Sequence, residues 1–286
     1  MTAALALAVA AAACFGLALV LTQFGLRHMS AADGALISIP TTALLFWALA
    51  PFVLELGAFE LTAAAIFAGV GLFFPAAVTL LTYEANQRLG PTVAGALGGT
   101  APLFAALAAM LFLGERPTAL TAAATLAVVA GIAVLGWQPA RWPVRFLLLP
   151  LAAALLRGLA QVAIKAGLAL WPSAFAASLV GYSASVLSVA ADARLRRGAA
   201  RGRFDRRGAA WFALVGFGNG AAVLSMYAAL SRGAVTLVAP MVASYPLFAL
   251  LLGALLLKEQ RITPRLAAGT ALMVAGIAAL ILGRAG

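Results

Sequence analysis

Apolar residues run along this chain in blocks of about 20, the length a helix needs to cross the hydrocarbon core of a bilayer. Ten such blocks fit, near residues 3–26, 33–55, 62–84, 91–113, 118–136, 146–169, 173–192, 209–230, 235–257 and 264–283. Polar residues gather in the short connections between them. Proline opens several blocks at or near the first turn, as Pro91, Pro117, Pro172 and Pro264, where a missing backbone N–H leaves no helical bond unmade. Pro40, Pro75, Pro102, Pro150, Pro240 and Pro246 lie inside blocks, and each removes a helical hydrogen bond and frees a carbonyl. The first block, MTAALALAVAAAACFGLALVLT, lacks the basic start of a signal peptide and reads as the first spanning helix.

The pattern then repeats. Pro102-Leu103-Phe104-Ala105 returns as Pro246-Leu247-Phe248-Ala249, an offset of 144 that Tyr83 and Tyr227, Arg88 and Arg232, Thr92 and Thr236, and Glu115 and Glu259 also keep. Gly16-Leu17-Ala18 matches Gly158-Leu159-Ala160 at offset 142, and Val-Ala-Gly-Ile-Ala at 129–133 recurs at 274–278. A fixed-offset echo of this length is the mark of duplication. Each half holds five helices, and an odd number forces the halves into opposite orientations. The expected fold is an all-α polytopic membrane protein, ten transmembrane helices as two inverted five-helix repeats, residues 1–140 and 141–286. That is the plan of secondary transporters, with the site near the bilayer midplane at the repeat interface.

Composition agrees. Of 286 residues 65% are hydrophobic and 9% charged, with a mean hydropathy of +1.08, against about 25% charged in a soluble domain. The net charge of +11 would suggest nucleic acid in a soluble protein. Here most of the excess is arginine in the connections. The odd-numbered connections carry fourteen Lys and Arg, seven of them between Arg194 and Arg207, and the even ones only Arg116 and Arg232. The positive-inside rule then puts the odd connections in the cytoplasm and both termini on the opposite side. Trp137, Trp142, Trp171 and Trp211 fall at block ends, where interfacial indoles are expected. Cys14 is the one cysteine, so no disulfide forms within the chain.

Candidate chemistry is confined to a few polar residues. Arg157, Gln161 and Lys165 are spaced i, i+4, i+8 on one block and share a helix face. Arg157 lies near mid-membrane, where a charged residue is a functional hypothesis. The sequence offers it two partners, carbonyls freed near a proline or an anionic group on a solute. Lys165 is close enough to the block end to snorkel. Thr79, Tyr83, Thr100, Asn219, Tyr227, Ser244 and Tyr245 lie on the third, fourth, eighth and ninth blocks. Singly each fits an interhelical hydrogen bond; together they suggest a cavity lined by hydroxyls and rings, suited to a small amphipathic solute. Pro102 and Pro246, equivalent in the two halves, are either fixed kinks or hinges. The acids Asp33, Glu55, Glu60, Glu84, Glu115, Asp192, Asp205 and Glu259 all lie at or beyond block ends, which favours a carrier without obligatory proton coupling. Gly95/Gly99 and Gly216/Gly220 form GxxxG pairs suited to close helix packing, and GFGNG at 216–220 lacks the strand of a phosphate loop. Enzyme motifs are absent, and His28 with Cys14 makes no metal site. No cofactor and no metal is expected.

These marks resemble the drug/metabolite transporter superfamily, specifically its ten-helix EamA-type members. They are the duplicated five-helix unit, Pro-Leu-Phe in the fourth helix of each half, and the acidic turn after it, Gly114-Glu115-Arg116 and Lys258-Glu259. The first helix of each half in that family often carries an aromatic-Gly pair with Lys seven residues after the Gly. Here the places hold Phe15-Gly16 with Gln23, and Arg157-Gly158 with Lys165. The resemblance implies that the acidic turns are helix-cap features rather than substrate ligands. Within the family the chain looks most like YddG-type exporters of aromatic and other amino acids. That likeness implies a multi-pass protein of the bacterial inner membrane working by alternating access. Its partners would be an amino-acid solute and the bilayer, with no nucleic acid, and monomer and homodimer both stay open. Export of drugs or other metabolites is the competing transport reading, and a channel or membrane scaffold the competing class.

Overall fold

The computed structural model describes residues 2–54, 57, 59–89, 91–136, 143–195, 205–257 and 264–282. Among them the chain is helical: α1 (Thr2–Leu26), α2 (Ala31–Val53), α3 (Leu61–Leu89), α4 (Pro91–Gly98), α5 (Ala101–Phe112), α6 (Ala119–Gly136), α7 (Val144–Leu170), α8 (Ala174–Leu195), α9 (Arg206–Arg232), α10 (Val235–Val242), α11 (Tyr245–Leu257) and α12 (Pro264–Leu282). Ten of the expected spans are present. The fourth and ninth are each divided into two helices, α4 with α5 and α10 with α11, where the sequence pattern reads as one continuous block.

Proline contributes to the division, although Pro40, Pro51 and Pro150 lie inside helices that stay continuous. Pro102 and Pro246 have no N–H to give the carbonyl four residues back. The chain tightens there into a turn instead. The Thr100 N–H and Oγ1 both donate to the Leu97 carbonyl (3.1 and 2.6 Å), and Leu103 N–H donates to Thr100 O (2.9 Å). The second half repeats this. Ser244 N–H and Oγ both reach Met241 O (3.2 and 2.6 Å), and Leu247 N–H reaches Ser244 O (2.9 Å). A hydroxyl thus satisfies a carbonyl at each break, as a buried polar group requires.

The two halves exchange equivalent contacts. A Cβ on Gly158 of α7 would lie 2.6 Å from the Ala105 nitrogen of α5, and one on Gly16 of α1 would lie 2.8 Å from the Ala249 nitrogen of α11. Gly167 packs on Phe67 as Gly25 packs on Phe212. Thr42 of α2 donates to Gly216 O of α9 (2.7 Å), and Ser185 of α8 donates to Gly71 O of α3 (3.0 Å). Each pair crosses between elements related by the repeat, so the first half's α1 meets the second half's α9 and α11, and α7 meets α3 and α5. Gly216 and Gly220 lie against Ser38, Thr41, Thr42 and Leu45 of α2, so GFGNG is a packing surface. The terminal helices α6 and α12 pair with each other through Gly131, Gly269 and Gly276.

Large apolar side chains on the outside, including Phe52, Phe73, Leu111 and Leu255, form the surface lipid would cover. Seven described segments are long and apolar enough to cross a membrane, and Leu61–Phe74, Ala101–Phe112 and Ala119–Leu135 are shorter apolar helices. Following the helices in order places Arg27, Arg88, Arg145, Arg194, Arg206, Arg207 and Arg265 at one end of the bundle and Arg116 and Arg232 at the other. These ends are the arginine-rich and arginine-poor faces of the bundle. Trp211 stacks on Phe24 (4.9 Å) near the arginine-rich face. Trp171, expected in the lipid interface, is instead 2% exposed and packs edge-on against Phe59, because α7 ends against the start of α3. Trp137 and Trp142 lie outside the described residues.

Candidate transport site

The polar stripe of α7 is half-buried along its length. Gly158, beside Arg157, brings α7 into backbone contact with α5, and this close crossing sets where the guanidinium goes. Arg157 reaches the break between α4 and α5: a Cβ on Gly98 would lie 3.5 Å from its Nη1. It stands about 20 Å along α7, near mid-membrane, at 1.5 Å per residue. Helix-terminal carbonyls collect at such a break, so a cation is favoured there. One turn on, the Oε1 of Gln161 is buried and has no hydrogen-bond donor among the described residues.

Lys165 has a different setting. Its Nζ donates to Leu230 O (2.6 Å) and Gly233 O (2.9 Å) at the C-terminal end of α9. The ammonium therefore serves backbone carbonyls that have no intrahelical partner. The acidic turn after α5 meets the same corner. Glu115 accepts from Val235 N–H (2.7 Å) and Thr236 N–H (2.9 Å), the first two amides of α10. Gly114, the described glycine with positive φ (66°), turns the chain so that Glu115 can do so. Cation at a helix C-terminus and anion at a helix N-terminus each complement the local dipole. The other acidic turn, at Glu259, lies outside the described residues.

The remaining candidates separate. Thr100 and Ser244 direct their hydroxyls to the breaks they cap. Tyr245 opens α11 and lies edge-on to Phe15 (6.5 Å) at the crossing of α1. Asn219 is half-buried midway along α9, and Tyr227 packs on the main core cluster. Thr79 and Tyr83 stand in α3, but their side chains lie outside what the structure describes. Pro102 is buried in the first turn of α5. Pro246 lines an open cavity of about 660 Å³ between α1 and α11, with Gln23, Arg27 and Gly253 toward the arginine-rich face. Two features escaped the sequence reading. One is the clamp by Glu115 and Lys165 on the α9–α10 corner, whose parts are far apart in the chain. The other is an aromatic group, Phe46 with Phe175 (5.8 Å) and Tyr182 (5.7 Å), which interrupts no apolar pattern and so gives no signal.

The model of the EamA-like transporter family matches residues 2–137 and again 145–282. The chain belongs to the EamA-like transporter family. It carries two EamA repeats and is a multi-pass membrane transporter. No curated protein matches the chain. Among solved structures 29 chains do. One, described only as "Crystal structure of protein", has a TM-score of 0.79 at 19% identity over 98% of each chain, which shows the fold shared along the length of this EamA-type chain.

Proposed function

We propose that this transporter exports amino acids, aromatic and other neutral ones, across the bacterial inner membrane, as a YddG-type carrier does. It alternates access between its two halves without obligatory proton coupling. The observation that carries this reading is the pair formed by Arg157 and Gln161. A guanidinium in mid-membrane presents the planar fork that pairs with a carboxylate. One helical turn away, a buried carbonyl oxygen without a donor suits an α-ammonium. A zwitterion would engage both, and Phe15 with Tyr245 at the α1–α11 crossing would offer its side chain an aromatic surface. The breaks at Pro102 and Pro246 supply the flexible points that rocking of one half against the other requires. The acids fall near or beyond the ends of the apolar blocks in the sequence, which supports a carrier with no acidic proton carrier in mid-membrane.

Purified protein in liposomes loaded with labelled phenylalanine tests the reading. Saturable efflux, counterflow, and equal rates with and without a pH gradient are expected. Transport of cationic dyes with no phenylalanine flux would move the chain to the drug-exporting members of the family. Flux that neither saturates nor shows counterflow would make it a channel.

A further inference from the structure

The two gates of this molecule are unequal. At the arginine-poor face all eight residues of α10 are buried, and α10 packs against α5. At the arginine-rich face its counterpart α4 has no comparable contact with α11 among the described residues. The open cavity reaches between α1 and α11 there.

The chemistry of the two corners differs in the same sense. Glu115, from the first half, holds the first two amides of α10 in the second half, and Lys165 holds the last carbonyls of α9. Both bonds are charge-assisted, the stronger kind, and Glu115 ties the halves together across the gate. The repeat offsets carry Val235 and Thr236 to Pro91 and Thr92, and Lys165 to Gln23. Pro91 has no N–H to give a carboxylate, and Gln23 has no charge. The equivalent positions at the arginine-rich face thus lack the amide of Val235 and the charge of Lys165.

We propose that Glu115 and Lys165 form a latch that holds the arginine-poor gate shut, and that Pro91 and Gln23 disable the same latch at the other gate. The resting carrier is therefore biased toward opening at its arginine-rich face. The inference rests on the alternating-access reading of the transporter but on no solute, so absent phenylalanine flux leaves it standing.

The test uses the full-length Cys14→Ala protein in detergent, where a charged thiol reagent reaches both faces. Ala109 and Gly253 are equivalent positions, both buried, the first on α5 and the second beside the open cavity. The Gly253→Cys thiol should label faster than the Ala109→Cys thiol, because the cavity gives it a path to solvent. Glu115→Gln or Lys165→Met should speed Ala109→Cys labelling by roughly tenfold or more, the population change expected from losing a hydrogen bond to a charged group. Val235→Pro is the gentlest variant. It copies Pro91, and proline is well tolerated at the first position of a helix, where the preceding Ala234 is already extended. It removes one amide from the latch and should act in the same direction. Conversely, Gln23→Lys with Pro91→Ala should slow Gly253→Cys labelling by about tenfold. Unchanged rates in folded Val235→Pro protein and in the reverse pair would overturn the latch, whatever the folding of the Glu115 and Lys165 variants.

Discussion

A guanidinium at the centre of a membrane helix costs about 2.5–3.5 kcal/mol on the milder insertion scales. At Arg157 the structure offsets that by setting it against the α4–α5 break, with Gln161 one turn away. Arg157→Gln should keep the fold, judged by a monodisperse elution profile, and slow export of carboxylated solutes at least about tenfold, as loss of a charge-assisted bond implies. Arg157→Lys should retain part of the rate, because a two-pronged fork becomes a point charge. Parental flux in a well-expressed Arg157→Gln protein would remove the carboxylate role; failure to fold would assign the side chain to the helix break instead. Arg157 and Gln161 were legible in the sequence because i, i+4 spacing fixes which side chains share a helix face. What faces them is a tertiary fact. Lys165 shows the difference: it belongs to the same stripe, yet its acceptors lie 65 and 68 residues away, and no local pattern names them. The family resemblance implied a capping role for Glu115, but the helix it caps starts 120 residues later, which no local pattern names.

At the scale of elements, glycine sets the distances. Gly158→Val and Gly16→Val should each lower stability by about 1–3 kcal/mol, the usual effect of overpacking. In both cases the new side chain would push against the backbone of α5 or α11 rather than against a flexible tip. Gly69→Ala is the control, since a Cβ there meets nothing within 4 Å, and it should be neutral or gain up to about 1 kcal/mol from helix propensity. Thermal melts in detergent would read all three. Equal melting temperatures for Gly158→Val and Gly69→Ala would mean that the α5–α7 crossing is looser than described. The repeat made these glycines findable, because Gly16 and Gly158 recur in matching contexts. The divided spans were not findable in the same way. A proline in an apolar run gives the same pattern for a kinked helix and a broken one, and the outcome here depends on Thr100 and Ser244 bonding back to Leu97 and Met241.

For the whole molecule, the side to which the resting carrier opens depends on which way the arginine-rich face points. Lys and Arg near span ends are retained on the cytoplasmic side, and the connection between α8 and α9 carries the largest group of them. In the Cys14→Ala background, a cysteine introduced there as Gly198→Cys should be labelled in intact cells only by a membrane-permeant reagent. One introduced as Pro172→Cys, exposed in the connection between α7 and α8 at the other face, should react with an impermeant reagent. In that orientation the cavity beside Gln23 and Pro246 faces the cytoplasm and the Glu115–Lys165 corner faces outward. A carrier resting in this state loads from inside the cell, as an exporter must. The reverse labelling pattern would turn the molecule over. The latch would then close the cytoplasmic side, the open cavity would face outward, and the resting carrier would load from outside. The orientation experiment therefore decides more than topology, because it fixes the side from which a carrier biased by the proposed latch loads, while the net direction of an uncoupled carrier follows the solute gradient.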